Sequence, residues 1–256
     1  MSRTFVRSLA VALFVSLAFT ACEKTSDDRV QGYAEGEFVY VSSPLGGTLE
    51  QLFVRRGEQV RAGQPLFTLD ETMERAARDQ AQAALVLSEA DFKRQEQLFQ
   101  SGPAAAQDFD RARAARDQDR ERLAQAKWNL AQMQQSAPKA GLVYDTLFRE
   151  GEWVAAGKPI VQLLPPPNIK VRAFVPETRI GSLQVGEEAR VTVDGVAAPF
   201  VGRISYISPR AEYTPPVIYS RESRSKLVFM VEIRFDPEVA VKLHPGQPVD
   251  VEFVRQ

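Results

Sequence analysis

The chain has 256 residues, 44% of them hydrophobic and 25% charged, with a formal net charge of -1. That length suits two or three small domains, or one domain with an extended arm, and the near-neutral balance leaves no basic surplus for binding nucleic acid through its phosphates. The single cysteine, Cys22, excludes an intrachain disulfide and a cysteine-held metal cluster, and the single histidine, His244, sits in a Leu-His-Pro-Gly turn where a solvated side chain is expected rather than a metal or catalytic one.

Arg3 and Arg7 precede an apolar and small-residue run over 9–19. The run is short for a bilayer span, so residues 1–21 read as a signal peptide. Phe19-Thr20-Ala21-Cys22 resembles a bacterial lipobox, with Phe19 where Leu is usual, and Cys22 would then become the lipidated N-terminus. The alternatives are a free Cys22 thiol beside a conventional cleavage site, and an uncleaved anchor. Residues 23–29 are polar and aperiodic, so 22–30 reads as a flexible tether.

A split β domain is expected over 31–70 and 136–165. Residues 31–41 alternate and carry Tyr33, Phe38, Val39, Tyr40 and Val41, which favour a strand. Pro44 and Gly46-Gly47 mark a turn, 48–54 a strand, and Arg55-Arg56-Gly57-Glu58 a hairpin turn. Val60, Gly63 and Pro65 then lead into a strand over 66–69. The same grammar returns after residue 135. Pro138 and Gly141 answer Pro44 and Gly47, Arg149-Glu150-Gly151-Glu152 answers Arg55-Arg56-Gly57-Glu58, and Val154, Gly157 and Pro159 answer Val60, Gly63 and Pro65. This is an internal repeat, and two such halves packed face to face make a small sandwich. The pattern resembles the lipoyl or biotinyl carrier fold. A carrier would hold a modifiable lysine on the turn after residue 70, where Met73-Glu74 stands here, so no prosthetic group or other cofactor is implied.

Between the halves, 71–135 reads as two antiparallel helices broken once, at Gly102-Pro103. The segments 71–100 and 104–135 lack Pro and Gly and are rich in Ala, Gln, Glu, Arg and Leu. Thirty helical residues give an arm of about 45 Å. Phe109, Arg116, Leu123, Leu130 and Ala137 share one heptad position, and Ala112, Asp119, Ala126 and Met133 another. Leu85, Phe92 and Phe99 answer from the first helix. Folding at the break places Phe99 near Phe109, Phe92 near Arg116 and Leu85 near Leu123. The Phe92–Arg116 meeting is either a cation–π contact or a solvated arginine. Charges of alternating sign cover the rest, as on a solvent-exposed coiled coil. Such an arm reaches a partner, or it only spaces or dimerises.

A split lipoyl-like domain carrying a helical hairpin resembles the HlyD family of periplasmic adaptor, or membrane-fusion, proteins. The family's tip pattern is Arg, Leu four residues on, and Ser seven further. Arg94 and Leu98 match it, Ala105 stands at the Ser position, Phe109-Asp110 match the aromatic–acid pair that follows, and Gly102 lies at the turn. The resemblance implies that Arg94, Leu98, Gly102 and Ala105 meet a TolC-like outer-membrane channel.

Residues 166–256 read as a small antiparallel β-barrel. Strands are expected at 170–175, 189–193, 200–207, 227–235 and 247–254, with a short helix over 176–183 and a long loop over 210–226. The run Val-Pro-Glu-x-x-Ile-x-x-Leu-x-x-Gly-x-x-Ala-x-Val over 175–191 resembles the adaptor barrel, and 202–229 resembles the branch associated with ABC exporters. The fold class expected is therefore mainly β with an inserted α-helical hairpin: a split lipoyl/biotinyl-like domain plus a small barrel, without a full membrane-proximal domain unless residues 31–41 contribute to a reduced one.

The function this implies is a periplasmic adaptor with no catalytic residues. It would be anchored by an N-terminal lipid to the inner membrane of a Gram-negative bacterium. Its partners would be an inner-membrane transporter, an ABC permease above other classes, a TolC-like channel, and further copies of itself in a ring, a hexamer in the family. The alternatives are a tethered scaffold lipoprotein without a transport role, and an enzyme or carrier, for which neither a modifiable lysine nor a titratable cluster is visible.

Overall fold

The computed structural model describes residues 29–102, 106–213 and 227–254. They are mainly β with an inserted helical hairpin, and they divide into two compact units. One comprises Ala34–Val171 and Arg234–Gln247. The other comprises the described residues of Met1–Tyr33, Arg172–Ile233 and Pro248–Gln256.

Strand β1 (Arg29–Gly36) opens the described chain and is taken up with the barrel below. The sandwich is built from β2 (Val39–Ser42), β3 (Gly47–Leu52), β4 (Gln59–Val60), β5 (Pro65–Leu69), β6 (Gln134–Ser136), β7 (Gly141–Thr146), β8 (Trp153–Val154) and β9 (Pro159–Leu164). One sheet runs β2-β9-β7-β4 and the other β6-β5-β3-β8. The repeat makes β2, β3, β4 and β5 the counterparts of β6, β7, β8 and β9, so each sheet draws strands from both halves. The hydrogen bonds follow the same two-fold. Gly57 N–H donates to the Val143 carbonyl and Gly151 N–H to the Leu49 carbonyl, both at 2.8 Å, and Gly63 and Gly157 donate to Ala137 and Ser43 at the same distance.

Here the structure corrects one expectation. The Arg55–Glu58 turn does not close a hairpin. Strand β4 pairs with β7, and β8 pairs with β3. Gly57 (φ 87°) and Gly151 (φ 89°) adopt the left-handed conformation that turns the chain from one sheet to the other, and the opposite half accepts their N–H groups. Neither half satisfies its own backbone, which is why the two must fold together. Leu49, Leu66, Phe67, Leu69, Val143, Ile160, Val161 and Leu163 fill the space between the sheets, all fully buried.

The inserted arm consists of α1 (Thr72–Ser101) and α2 (Ala106–Gln132). The second helix stops three residues before the expected end at 135. Residues 134–136 form β6 instead, pairing Thr68 with Gln134 and Phe67 with Gln135, while Leu69 N–H donates to the Met133 carbonyl at 2.8 Å. Met133 and Ala137, expected in the helical seam, are buried in the sandwich core. Helix propensity permits three more residues; the unpaired edge of β5 and the burial of Met133 outweigh it.

After a short 3-10 turn (Pro166–Asn168) come β10 (Ile169–Pro176), α3 (Glu177–Ile180), β11 (Glu188–Thr192), β12 (Phe200–Tyr213), β13 (Leu227–Arg234), α4 (Pro237–Ala240) and β14 (Pro248–Phe253). They close with β1 into a six-stranded barrel of order β1-β10-β13-β12-β11-β14. Residues 29–30, expected in the flexible tether, and 31–36, expected with the sandwich, are thus part of a barrel strand, with Val30 opposite Val251, Gln31 opposite Asp250 and Gly32 opposite Val249. Gly32 is needed for that closure: a Cβ there would lie 2.3 Å from the Arg172 carbonyl oxygen. Residues 210–213, expected to begin a loop, continue β12; the remainder of that segment, 214–226, lies outside the described residues. Alternation fills the barrel, with Ala173, Val175, Ala189, Val191, Val231, Ile233 and Val251 fully buried. Among the described residues no helix is long and apolar enough to cross a membrane.

Candidate functional site: the helical hairpin

The arm leaves the sandwich where β5 ends. The Asp70 carboxylate accepts the Thr72 N–H at 2.9 Å and the Thr72 hydroxyl at 2.6 Å, which starts α1. Glu71 pairs with Arg75 at 2.6 Å and accepts Gln134 Nε2 at 2.6 Å, so the start of the arm is tied to its return. Met73, in the first turn of α1, is 75% exposed. At the other end, the buried Ser43 hydroxyl donates to the Gln132 carbonyl at 2.9 Å and accepts the Leu45 N–H at 3.1 Å. It satisfies one of the orphan carbonyls at the end of α2. Nothing in the Ser-Pro-Leu-Gly-Gly stretch signals that role, since the serine is 89 residues from the carbonyl it caps.

The hydrogen bonds from Thr72 hold the Asp70 carboxyl below the usual carboxylate range. A depressed folded pKa means that the stabilisation is complete above the unfolded value, about 4, and is lost as pH falls through the folded one. Exchange of the Thr72 amide is expected to speed up as pH falls below about 4, once the intrinsic pH dependence of exchange is corrected for. Asp70→Ala should remove that pH dependence, measured by amide exchange between pH 6 and 2.5; a variant that keeps the same pH profile would count against Asp70.

Along the arm, Leu85, Ala112 and Leu123 are buried in the seam. Phe99 and Phe109 stack with ring centroids 4.9 Å apart. The Arg116 guanidinium lies 4.2 Å from the centroid of Phe92, so of the two possibilities at this layer the cation–π contact is the one formed. Phe109 also meets Phe92 at 5.4 Å, a contact that seven-residue spacing did not single out. The outer faces carry ion pairs at i,i+3, Arg94–Asp91 (3.0 Å) and Arg111–Asp108 (3.2 Å). These pairs are largely solvated, each worth about 0–1 kcal/mol.

Arg94 and Leu98 lie one helical turn apart on one face of α1. The Arg94 side chain is 63% exposed and Leu98 56%. Gly102 follows one turn further, its N–H donating to the Phe99 carbonyl at 3.2 Å to end the helix. Ala105 and Cys22 lie outside the described residues. Among the described residues, no cluster of three or more His, Cys, Asp or Glu side chains is placed to hold a metal ion.

No family model matches the chain. It is 32% identical over 180 residues to the UPF0194 membrane protein in the asrC 5' region of Acidithiobacillus ferridurans, covering 68% of this chain and 52% of that one. The chain thus spans about half the length of that relative. Against the UPF0194 membrane protein YbhG of Salmonella arizonae, identity is 27% over 325 aligned positions, covering 99% of this chain and 98% of the other. Among solved structures it superposes on the membrane fusion protein Spr0693 of Streptococcus pneumoniae R6 with a TM-score of 0.71, at 20% identity, over 89% of this chain and 99% of that one. The chain therefore shares the fold of a membrane fusion protein, and its sequence relatives are UPF0194 membrane proteins.

Proposed function

We propose that this chain is the periplasmic adaptor subunit of an export system, bridging an inner-membrane transporter of the ABC class and a TolC-like outer-membrane channel. The observation that carries the reading is the arm. Two helices, about 45 and about 40 Å long, share a narrow seam, keep a solvated outer surface, and grow from the sandwich at the turn where a carrier would hold its lysine. A pair of helices that buries so little adds little to stability; its use is reach. The arm ends in two exposed side chains of opposite character, a cation at Arg94 and an apolar surface at Leu98. The work is mechanical. Copies of the chain, six in the family it resembles, would ring the exit of the transporter. Their arms would form the wall that meets the channel, with Arg94, Leu98, Gly102 and Ala105 at the junction.

Two measurements test this. Arg94→Asp with Leu98→Asp should abolish export of the compounds that a deletion strain fails to clear. Mass spectrometry of the mature protein should find a lipid on Cys22, and Cys22→Ser should release the chain into the soluble periplasm. An unmodified Cys22 would remove the lipid anchor from the reading.

A further inference from the structure

Between the two helices near the tip runs a column of side chains. Phe99 and Phe109 lie nearly parallel, 13° between ring planes and 4.9 Å between centroids. Phe109 meets Phe92 at 5.4 Å, and the Arg116 guanidinium covers Phe92 at 4.2 Å. The members alternate between the helices, Phe99 and Phe92 from α1, Phe109 and Arg116 from α2. Arg116 is held in turn by Asp117, which accepts from Nε at 2.9 Å and Nη2 at 2.6 Å. The rest of the seam is different: aliphatic at Leu85 and Leu123, and lined by alanines nearer the sandwich.

The rings are packed directly beneath the last turns of α1. No basic residue stands in its final turn to oppose the helix dipole, and its end is closed by one backbone bond, Gly102 to Phe99. The Arg94–Asp91 pair is exposed. Phe99 lies one residue from Leu98 and Phe92 two from Arg94, and among the described aromatic side chains Phe109 contacts both rings of α1.

We propose that Phe109 is the positioning residue of the tip. Through Phe99 and Phe92 it holds the last two turns of α1, and with them Arg94 and Leu98, in the geometry that a docking partner meets. This rests on the reading of the tip as a docking site. The test is amide exchange across residues 94–102 in the full chain, with export measured beside it. Phe109→Ala should speed exchange there about ten-fold, as the loss of two ring contacts does, and lower export. Phe109→Tyr, which keeps the ring, should restore both. Leu130→Ala, in the seam near the sandwich, should leave exchange at 94–102 unchanged.

Unchanged exchange in Phe109→Ala overturns the proposal, as does an equal rise in Leu130→Ala, which would make tip order a by-product of arm stability. Faster exchange with full export also overturns it. In that case Arg94→Asp with Leu98→Asp separates the two ideas: lost export leaves the adaptor reading standing, and intact export removes it as well.

Discussion

Cells carrying Arg94→Asp together with Leu98→Asp are expected to lose export to the level of a strain without the chain, while the purified variant keeps its thermal midpoint. Both side chains are more than half exposed, so neither contributes much to the fold. Arg94→Asp removes an exposed ion pair worth about 0–1 kcal/mol and places two carboxylates at i,i+3, a penalty of a few tenths of a kcal/mol. Docking is different. A carboxylate buried against a partner without a counter-charge costs several kcal/mol, and two of them lower occupancy by more than about a hundred-fold. Full export by the double variant would sink the tip-docking claim. Lost export together with a lowered midpoint would report misfolding instead, so both quantities must be measured on the same variant.

The largest loss of stability is expected from Phe67→Ala. Phe67 is fully buried on β5, with β3 on one side (opposite Leu52) and β6 on the other (opposite Gln135). Truncation leaves a cavity that the two sheets cannot close, at a cost of about 3–5 kcal/mol, a large part of the stability of a small domain. The site matters twice over, because β6 is the return strand of the arm. The chain's two tryptophans, Trp128 and Trp153, both belong to the sandwich-and-hairpin unit, so their fluorescence follows that unit specifically during denaturant unfolding. A loss below about 1 kcal/mol, the scale of a volume-conserving swap, would mean that Phe67 is not central to this core.

Much of this architecture is written locally. The order of glycines and prolines in the two halves needs only turn chemistry to be read: Gly57 and Gly151 adopt matching left-handed conformations, and so do Gly63 and Gly157. The arm is legible because helix formers run unbroken on both sides of Gly102-Pro103 and because phenylalanines recur at heptad spacing. That spacing alone placed Phe99 beside Phe109 and Phe92 beside Arg116, as found. At the tip, Arg94 and Leu98 were singled out by a family pattern; the structure adds their exposure and the ring column beneath them.

Tertiary pairing decided what local chemistry leaves open. Alternation marks 31–36 as a strand, but only the edges offered by β14 and β10 make it a barrel strand. Strands β4 and β8 are two residues long, too short for any pattern to name their partners, and pairing across the repeat joined each to the other half. Residues 133–137 are as fit for helix as for strand. The unpaired edge of β5 and the burial of Met133 ended α2 at Gln132. Ser43 became a helix cap because the fold brings it beside Gln132. The sequence by itself therefore determined a glycine-punctuated repeat with a long two-helix arm between its halves, since turns and helices are set by neighbours along the chain. The tertiary structure decided which strands pair and where the arm ends, since those depend on backbone partners supplied from far away.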